Sequence, residues 1–597
     1  MPVDELGGAL VTFAVKTNGN AIPDALSVMS VHVEKHVNRI PTATVIIQDG
    51  SPDTGKFDAS SSSTFVPGTS ITIEAGYDLT NKQIFKGIIT RQSLRVSEHQ
   101  GSMLEIECRD ESIKMAVGRK SLSFDQKKDS DIITSIIGTY GGLSSSVTAT
   151  DTAWPGQVQY YATDWDFILA RAEANGLVVS VSDGKVTVAA PDANTSPVIT
   201  ATYGDNILEF NADLDSVSQL GTIKAEAWDF KTQAVISGTS TASLSGPGNL
   251  SSKKLSEVVG LSDYILQSAG PVQSADLTGW CKAQLVKSQY AKIRGEVKIY
   301  GSSLLLPAAY ITLAGLGDRF NGDHFISGVV HDIRDGNWFT HVSVGMSPIW
   351  FTEEPDVMAP STSGLLPGVR GLIQGTVKQI HDDPDGQFRV LVNIPLFDAN
   401  GKGIWARLTN FYSTSTAGAF FYPEVGDEVI LGFLNEDPRY PVIIGSVYSS
   451  TKIKPFTGLT PDEKNQFKAI VSKSGIFIKF DDTDKILTIN TPSNNTMVWS
   501  DKDKQISIKD ENGNSIVMSQ SGITMKSPKT INIEADQQVN IKGTQGINLT
   551  SSGGDIKLKG MNINENADMQ YVAKGGMTAE VSSGTQLTIK SAMVMIN

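Results

Sequence analysis

The sequence predicts a mainly β protein of several domains, and three observations predict it. A repeat of eight residues runs from Ile523 to Met595. A block at 371–450 reads as five short strands separated by turns, the content of a small Greek-key barrel of OB type. Segments within 9–115 alternate apolar and polar residues, most clearly in ITIEAGY and MLEIEC, with Gly or Pro between them.

Composition narrows the function. The 597 residues are 40% hydrophobic and 19% charged, a globular balance that calls for several domains. A net charge of −14 with no basic block argues against nucleic-acid binding. Cys108 and Cys281 match no metal or redox spacing and read as buried thiols. The start, MPVDELGGALVTFAV, has neither the basic region nor the apolar core of a signal peptide, and no apolar run reaches the roughly 18 residues of a membrane span. Synthesis in the cytoplasm without a signal peptide is therefore expected.

The elements follow in order. Residues 1–352 form a first domain of strands interrupted by helices. DSDIITSIIGT at 129–139 predicts a helix capped by Asp129 or Ser130 and ended at Gly141–Gly142. TDWDFILARAEANG predicts a second, with Thr163 or Asp164 as N-cap, Gly176 past its end, and one apolar face of Trp165, Ile168, Leu169 and Ala172. A third, at about 275–290, carries Leu277, Trp280, Leu285 and Tyr290. Residues 353–370 hold three prolines and no periodicity, which marks a linker. The barrel occupies 371–452 and the repeat region 465–597.

Stepping in eights from Ile523 gives Ile531, Val539, Ile547, Asp555, Ile563, Tyr571, Ala579, Leu587 and Met595. The lapse at Asp555 leaves Ile556 one residue out of phase, as a bulge would. Met525, Ile533, Ile541 and Leu549 stand two residues after these positions, and Met561, Met569, Met577 and Met593 two before. Upstream the pairs are irregular: Ile476/Ile478, Ile486/Thr488, Met497/Trp499, Ile506/Ile508 and Ile516/Met518. Eight fits neither a helix nor a heptad, so each octad reads as a strand plus a turn. Burying about two side chains gains ~1.5–3 kcal/mol each, against ~1–2 kcal/mol for ordering each backbone unit. An octad must therefore stack on neighbours. Three successive octads could make one turn of a single-chain β-helix, or three chains could each supply one octad per layer.

No constellation of residues announces chemistry. His32 and His36 lie along one strand without a third ligand, and the other histidines are scattered. HDDPDGQ, with Asp382, Asp383 and Asp385, lacks the downstream glutamate of a calcium loop and reads as a turn. Asp481/Asp482 is an ordinary loop pair. The expectation is no catalytic residue, no metal and no cofactor.

PEVGDEVILGFLNEDPRYPVIIGSVYSS at 423–450 resembles the signature of VgrG proteins and their tail-spike relatives, through Pro423, Val425, Gly426, Asp427, Val429, Phe433, Asp437, Pro438, Pro441, Gly445 and Tyr448. Residues 163–177 are similar to the helix of that family's hub, and 301–333 to its later barrel. The resemblance implies a hub of two β-barrel-like domains with a few helices, an OB-fold barrel, and a C-terminal triple-stranded intertwined β-helix in a homotrimer. It implies a structural, non-enzymatic spike that caps the inner tube of a contractile injection system and punctures an envelope on sheath contraction. The trimer core would be Ile523, Met525, Ile531, Ile533, Val539, Ile541, Ile547, Leu549, Met561, Ile563, Met569, Tyr571, Met577, Leu587, Met593 and Met595, the methionines suiting a narrow axis. Met595, Ile596 and Asn597 would dock a PAAR-type tip protein. Inner tube and baseplate proteins would surround the hub, effector cargo would travel with tube or tip, and a membrane would be met only as a puncturing target. Phe411, Tyr412, Ser413 and Thr414 replace the tryptophan–alanine–glycine element usual in type VI secretion VgrG proteins. The Phe411–Tyr412 and Phe420–Phe421–Tyr422 pattern looks more like spikes of contractile particles released outside the cell. The alternatives are a type VI spike fired from an intact donor cell and, in another class, a β-helical polysaccharide-degrading tail-spike enzyme, against which no carboxylate cluster recurs on the octads.

Overall fold

The alternating segments of the first half join one sheet of thirteen strands in the computed structural model. It describes residues 10–99, 101–229, 232–268, 272–354, 357–397, 401–449, 452–457 and 459–596. Two units separate at Ser446–Val447. In the first, strands Val11–Thr17, Val28–His36, Thr42–Gln48, Ser70–Tyr77, Thr80–Ser97 and Gly101–Arg109 enclose a core that includes Phe65, Phe85, Ile71, Leu104 and Ile106. Strands Ile207–Leu214, Ile293–Tyr300, Tyr310–Ala314 and Asn337–Val344 enclose a second, around Val297, Ile311, Ile326, Val329 and Val342. The strand Gly322–Arg334 serves both halves. Its Val330 pairs with Glu34 on one side and His341 on the other. Two barrel-like halves thus share one hydrogen-bonded ladder, as period-two patterning allows when each face finds its own core.

Four helices stand among the described residues, packed largely against smaller sheets: α1 Asp129–Ile137, α2 Asp164–Ala174, α3 Ser252–Val259 and α4 Ser274–Tyr290. α2 begins as its sequence asks, with Thr163 Oγ1 accepting from the Asp166 N–H at 3.0 Å, and Gly176 at φ 70° lies just past its end. α1 differs. It starts at Asp129 after Lys128 with no side-chain cap, and its C-cap is Gly138, ahead of Gly141. The Asp129 carboxylate is occupied elsewhere: it accepts from Arg171 Nε and Nη2, both at 2.8 Å, from Asn175 Nδ2 at 2.9 Å and from Trp154 Nε1 at 3.2 Å. α3 went unread in the sequence, although Ser251 caps it and Gly260, at φ 69°, ends it. α4 packs Leu277, Cys281 and Leu285 on Ile223 and Ala225 of a three-stranded sheet. Both cysteines are buried and unpaired.

Gly301 lies where the second barrel-like half meets the first core. Its carbonyl accepts from Tyr77 Oη at 3.2 Å, and a Cβ there would fall 1.9 Å from Trp338 Cδ2. Gly301→Ala is expected to cost about 1–3 kcal/mol by displacing the buried indole, measured as a lower melting temperature.

After the segment 353–370 comes a closed five-stranded barrel of Ile373–Gln379, Val390–Asn393, Ile404–Leu408, Glu428–Phe433 and Pro441–Ser446. Val377, Val390, Val392, Ala406, Val429, Leu431 and Ile443 fill it. In the loop before its second strand, Asp383 accepts the backbone N–H groups of Asp385, Gln387 and Arg389. Hydrogen bonds from the Arg389 guanidinium hold that carboxyl well below the usual range. HDDPDGQ is a carboxylate-tied turn.

The second unit opens with a seven-stranded antiparallel meander: Phe467–Val471, Phe477–Asp481, Ile486–Asn490, Thr496–Ser500, Gln505–Lys509, Ser515–Ser519 and Gly522–Lys526. Among the described residues, no strand follows Lys526; the octads run on extended, with bends between them.

Candidate functional site

Two features could act, the 423–450 signature and the surface of the second unit. The signature builds the barrel. Gly426, at φ 96°, donates its N–H to the Val377 carbonyl, and Asp427 accepts the Glu424 N–H at 2.8 Å. Val429 and Phe433 lie on the strand that receives Pro441 and Gly445, with a register shift between Ile430 and Leu431. Asp437, 5% exposed, accepts the Arg439 N–H at 2.9 Å and ties down the tight turn that holds Pro438. Each role concerns folding, and Pro423 and Tyr448 flank the strands.

The meander's register sorts its side chains by chemistry. Ile470 faces Ile478; Ile478 and Phe480 face Ile489 and Leu487; these face Met497 and Trp499. Next come Ile508 and Ile506, then Ile516 and Met518, then Met525 and Ile523. From the second strand on, one face is therefore an apolar stripe two side chains wide; in the first strand Ile470 shares its rung with Lys468, which faces Phe480. The opposite face is mixed: Thr488, Asn490, Thr496, Ser500, Ser507, Lys509, Ser515 and Thr524 stand there beside Phe467, Val471, Phe477, Ile486, Val498 and Val517. The sequence pair Ile486/Thr488 falls on this second face; Leu487/Ile489 is the pair on the stripe. Simple spacing missed it because the first six strands begin 9 or 10 residues apart, so a search at eight drifts across faces. The true period is two strands. Left-handed residues stand at Gly475, Asn494 and Gly513, a constant step of 19, and at Lys485 and Lys504, the same step. Asp481 Oδ1 accepts from the Thr483 and Asp484 N–H groups at 3.1 and 3.0 Å, holding one of these turns.

Ile523/Met525 ends the meander and begins the octads, so the two patterns share a rung. Beyond it, exposure in the single chain is itself periodic. Ile531, Val539, Ile547, Ile563 and Leu587 are 47–53% exposed; Ile533, Ile541, Leu549 and Ile589 are 66–67%. Ile556 and Leu558, at 55% and 63%, match these two classes, so the lapse at Asp555 shifts the rung without breaking it. The methionine row stands apart. Met561, Met569 and Met577 are 98–100% exposed and lie at the bends, in the octad position that Lys529, Gln537, Gln545 and Thr585 occupy elsewhere. In other octads the same position takes Lys or Gln, residue types mostly found exposed. Met561, Met569 and Met577 thus lie at bends of the chain, while Ile556/Leu558 and Ile589 share the exposure classes of the rungs. Tyr571 is 66% exposed, Met593 73%, Met595 82% and Ile596 90%, while Asn597 lies outside the described residues.

The family model described as "Alg8 N-terminal domain" matches residues 7–335, and the "Type VI secretion system/phage-baseplate injector OB domain" matches residues 373–448. The chain is similar to "Type VI secretion system spike protein VgrG1a" of Pseudomonas aeruginosa, 22% identical over 436 residues, 67% of this chain and 65% of that protein. It thus spans slightly less than two thirds of that relative's length. Among solved structures it is similar to a 43 kDa tail protein of prophage MuSo2 from Shewanella oneidensis, 12% identical, covering 57% of this chain and 98% of that one at a TM-score of 0.45. It is also similar to the E. coli c3393 protein, a type VI secretion component, 13% identical, covering 72% and 99% at a TM-score of 0.37.

Proposed function

Because the chain belongs to the Alg8 N-terminal domain family and is a VgrG-like spike protein, we propose that it is the trimeric, non-enzymatic hub and spike of a contractile injection machine. One observation carries this. From Ile531 onward the octads leave apolar rungs 47% or more exposed and pair with no strand of their own chain among the described residues. A single-chain β-helix would pair each octad with the third one after it. Three chains, each adding one octad per layer, would bury every rung, pair every strand and leave no sheet edge. The core is then the rungs Ile523/Met525, Ile531/Ile533, Val539/Ile541, Ile547/Leu549, Ile556/Leu558 and Leu587/Ile589, with Ile563 and Tyr571. Tube and baseplate proteins would ring the hub, and a PAAR-type partner would cover Met595 and Ile596.

Sedimentation should give three times 63.9 kDa; a stable monomer would exclude the spike. Within the assembled protein, hydrogen peroxide is expected to convert Met561, Met569 and Met577 to sulfoxides several-fold faster than Met497, Met518 and Met525, measured by peptide mass spectrometry. Equal protection of both sets would return the row to the interior.

The released-particle setting is supported by Phe411, Tyr412, Phe420 and Phe421, all exposed beside the short hairpin Ser413–Gly418. A type VI spike is the second reading, favoured by the similarity to VgrG1a. Co-purification with a free sheath-and-tube particle, against dependence on a membrane complex, separates the two.

A further inference from the structure

We infer that the meander at 467–526 is where the three chains first join and where their register is set, the octads zipping up afterwards. This rests on the trimer reading and adds an order and a seat to it.

The octads cannot set register by themselves. A slip of eight residues matches rung to rung again and forfeits only one rung at the end, about two apolar side chains at ~1.5–3 kcal/mol each. Nor can they start assembly. With no in-chain partner for their backbone, three chains must meet before the first hydrogen bond forms, while ordering costs ~1–2 kcal/mol per residue.

The meander has neither defect. Its seven strands pair within one chain, through short turns, and such local pairing forms before long-range contact. Once formed, it presents the stripe from Ile470 to Met525, with one charged side chain on that face, Lys468, opposite Phe480 in the first strand and paired with Asp482. Ile470, Phe480, Met518 and Met525 on this stripe are 42–55% exposed. The stripe would remove on the order of 1,000 Å² per chain from water, above the ~800 Å² per partner of a standard stable interface. The more continuous of the two faces, this stripe calls for copies of itself, and its last rung, Ile523/Met525, is the first rung of the octads. Slippage here is expensive. The 19-residue step spans two strands, so a shorter slip reverses strand direction, and a full step sets Phe480, Trp499 and Met518 against unlike partners.

Adjacent residues of one strand test this in the full chain. Ile489 lies on the stripe and Thr488 on the opposite face. After refolding from denaturant, Ile489→Asp is expected to stay monomeric with a folded hub, and Thr488→Asp to assemble like the unaltered chain. Ile541→Asp, in the octads, is expected to assemble, with protease resistance ending ahead of residue 541. Trimers of Ile489→Asp with a protease-resistant spike of full length would overturn the inference, as would loss of all trimer in Ile541→Asp. If the unaltered chain itself is monomeric, the spike reading fails first. Circular dichroism of the Ile489→Asp monomer, compared with that of Thr488→Asp, separates failed assembly from a misfolded hub.

Discussion

Ile531→Asp is expected to abolish the heat-resistant spike. Ile531 opens the first octad past the meander and belongs to the inner exposure class, so in a trimer the substitution sets three carboxylates in one layer. Each stranded buried charge costs about 3–5 kcal/mol, and three together rival the ~5–15 kcal/mol that holds a whole domain. The effect should also depend on pH in a definite sense. A buried carboxyl without a partner has a folded pKa above its unfolded one, so it tolerates the fold in acid and opposes it as pH rises. The spike's thermal transition should be lost at pH 7 and partly restored below about pH 4. Gln537→Asp, at a corner, should leave the transition unchanged. An unshifted transition in Ile531→Asp would mean that the rung does not face other chains.

The second large effect is expected in the hub. Burial pushes the Asp129 carboxyl up, yet the hydrogen bonds and charge of Arg171, with Asn175 and Trp154, outweigh it and hold the pKa below the usual carboxylate value. The side chain is 2% exposed against 20% for Arg171. Arg171→Leu leaves the carboxylate buried with neutral donors only, a loss of about 3–5 kcal/mol at neutral pH. A depressed folded pKa adds stability that is present above the unfolded pKa and lost as pH falls through the folded one. The difference between variant and unaltered hub should therefore be full near pH 7 and shrink below about pH 4, as followed by urea unfolding at both values. A pH-independent difference would show that the contact of the guanidinium with Trp154, 5.3 Å from the ring centroid, outweighs its pairing with Asp129.

The large-scale plan was legible because its signals are local. Turn residues and alternation mark the hub strands, Thr163 and Gly176 bracket α2, and the octad step needs no partner to be seen. What escaped depended on pairing. The meander hides its stripe because strands of five residues joined by short turns of unequal length change face phase at each crossing, so Ile486/Thr488 passed for the buried pair. The left-handed step through Gly475, Asn494 and Gly513 was the available signal, blurred by Asn at its middle member. The methionine row was placed by apolarity alone, without asking what the same octad position holds at Lys529, Gln537 and Gln545. α3 was missed because it is short and its apolar residues are few, though Ser251 and Gly260 bracket it. α1 starts without the expected cap because Asp129 is committed to Arg171.

The meander's strands lie across its length, so its hydrogen bonds point along it, seven rungs at about 4.8 Å spanning roughly 30 Å. Under forward thrust such a column is compressed, each rung bearing on the next, and no strand can leave without passing through its neighbours. Under traction the same rungs separate singly from an end, as a zipper does. On the spike reading the needle is thus a one-way tool, stiff on the stroke and weak on withdrawal, and a spike that is caught in its target should break up rather than be pulled back whole.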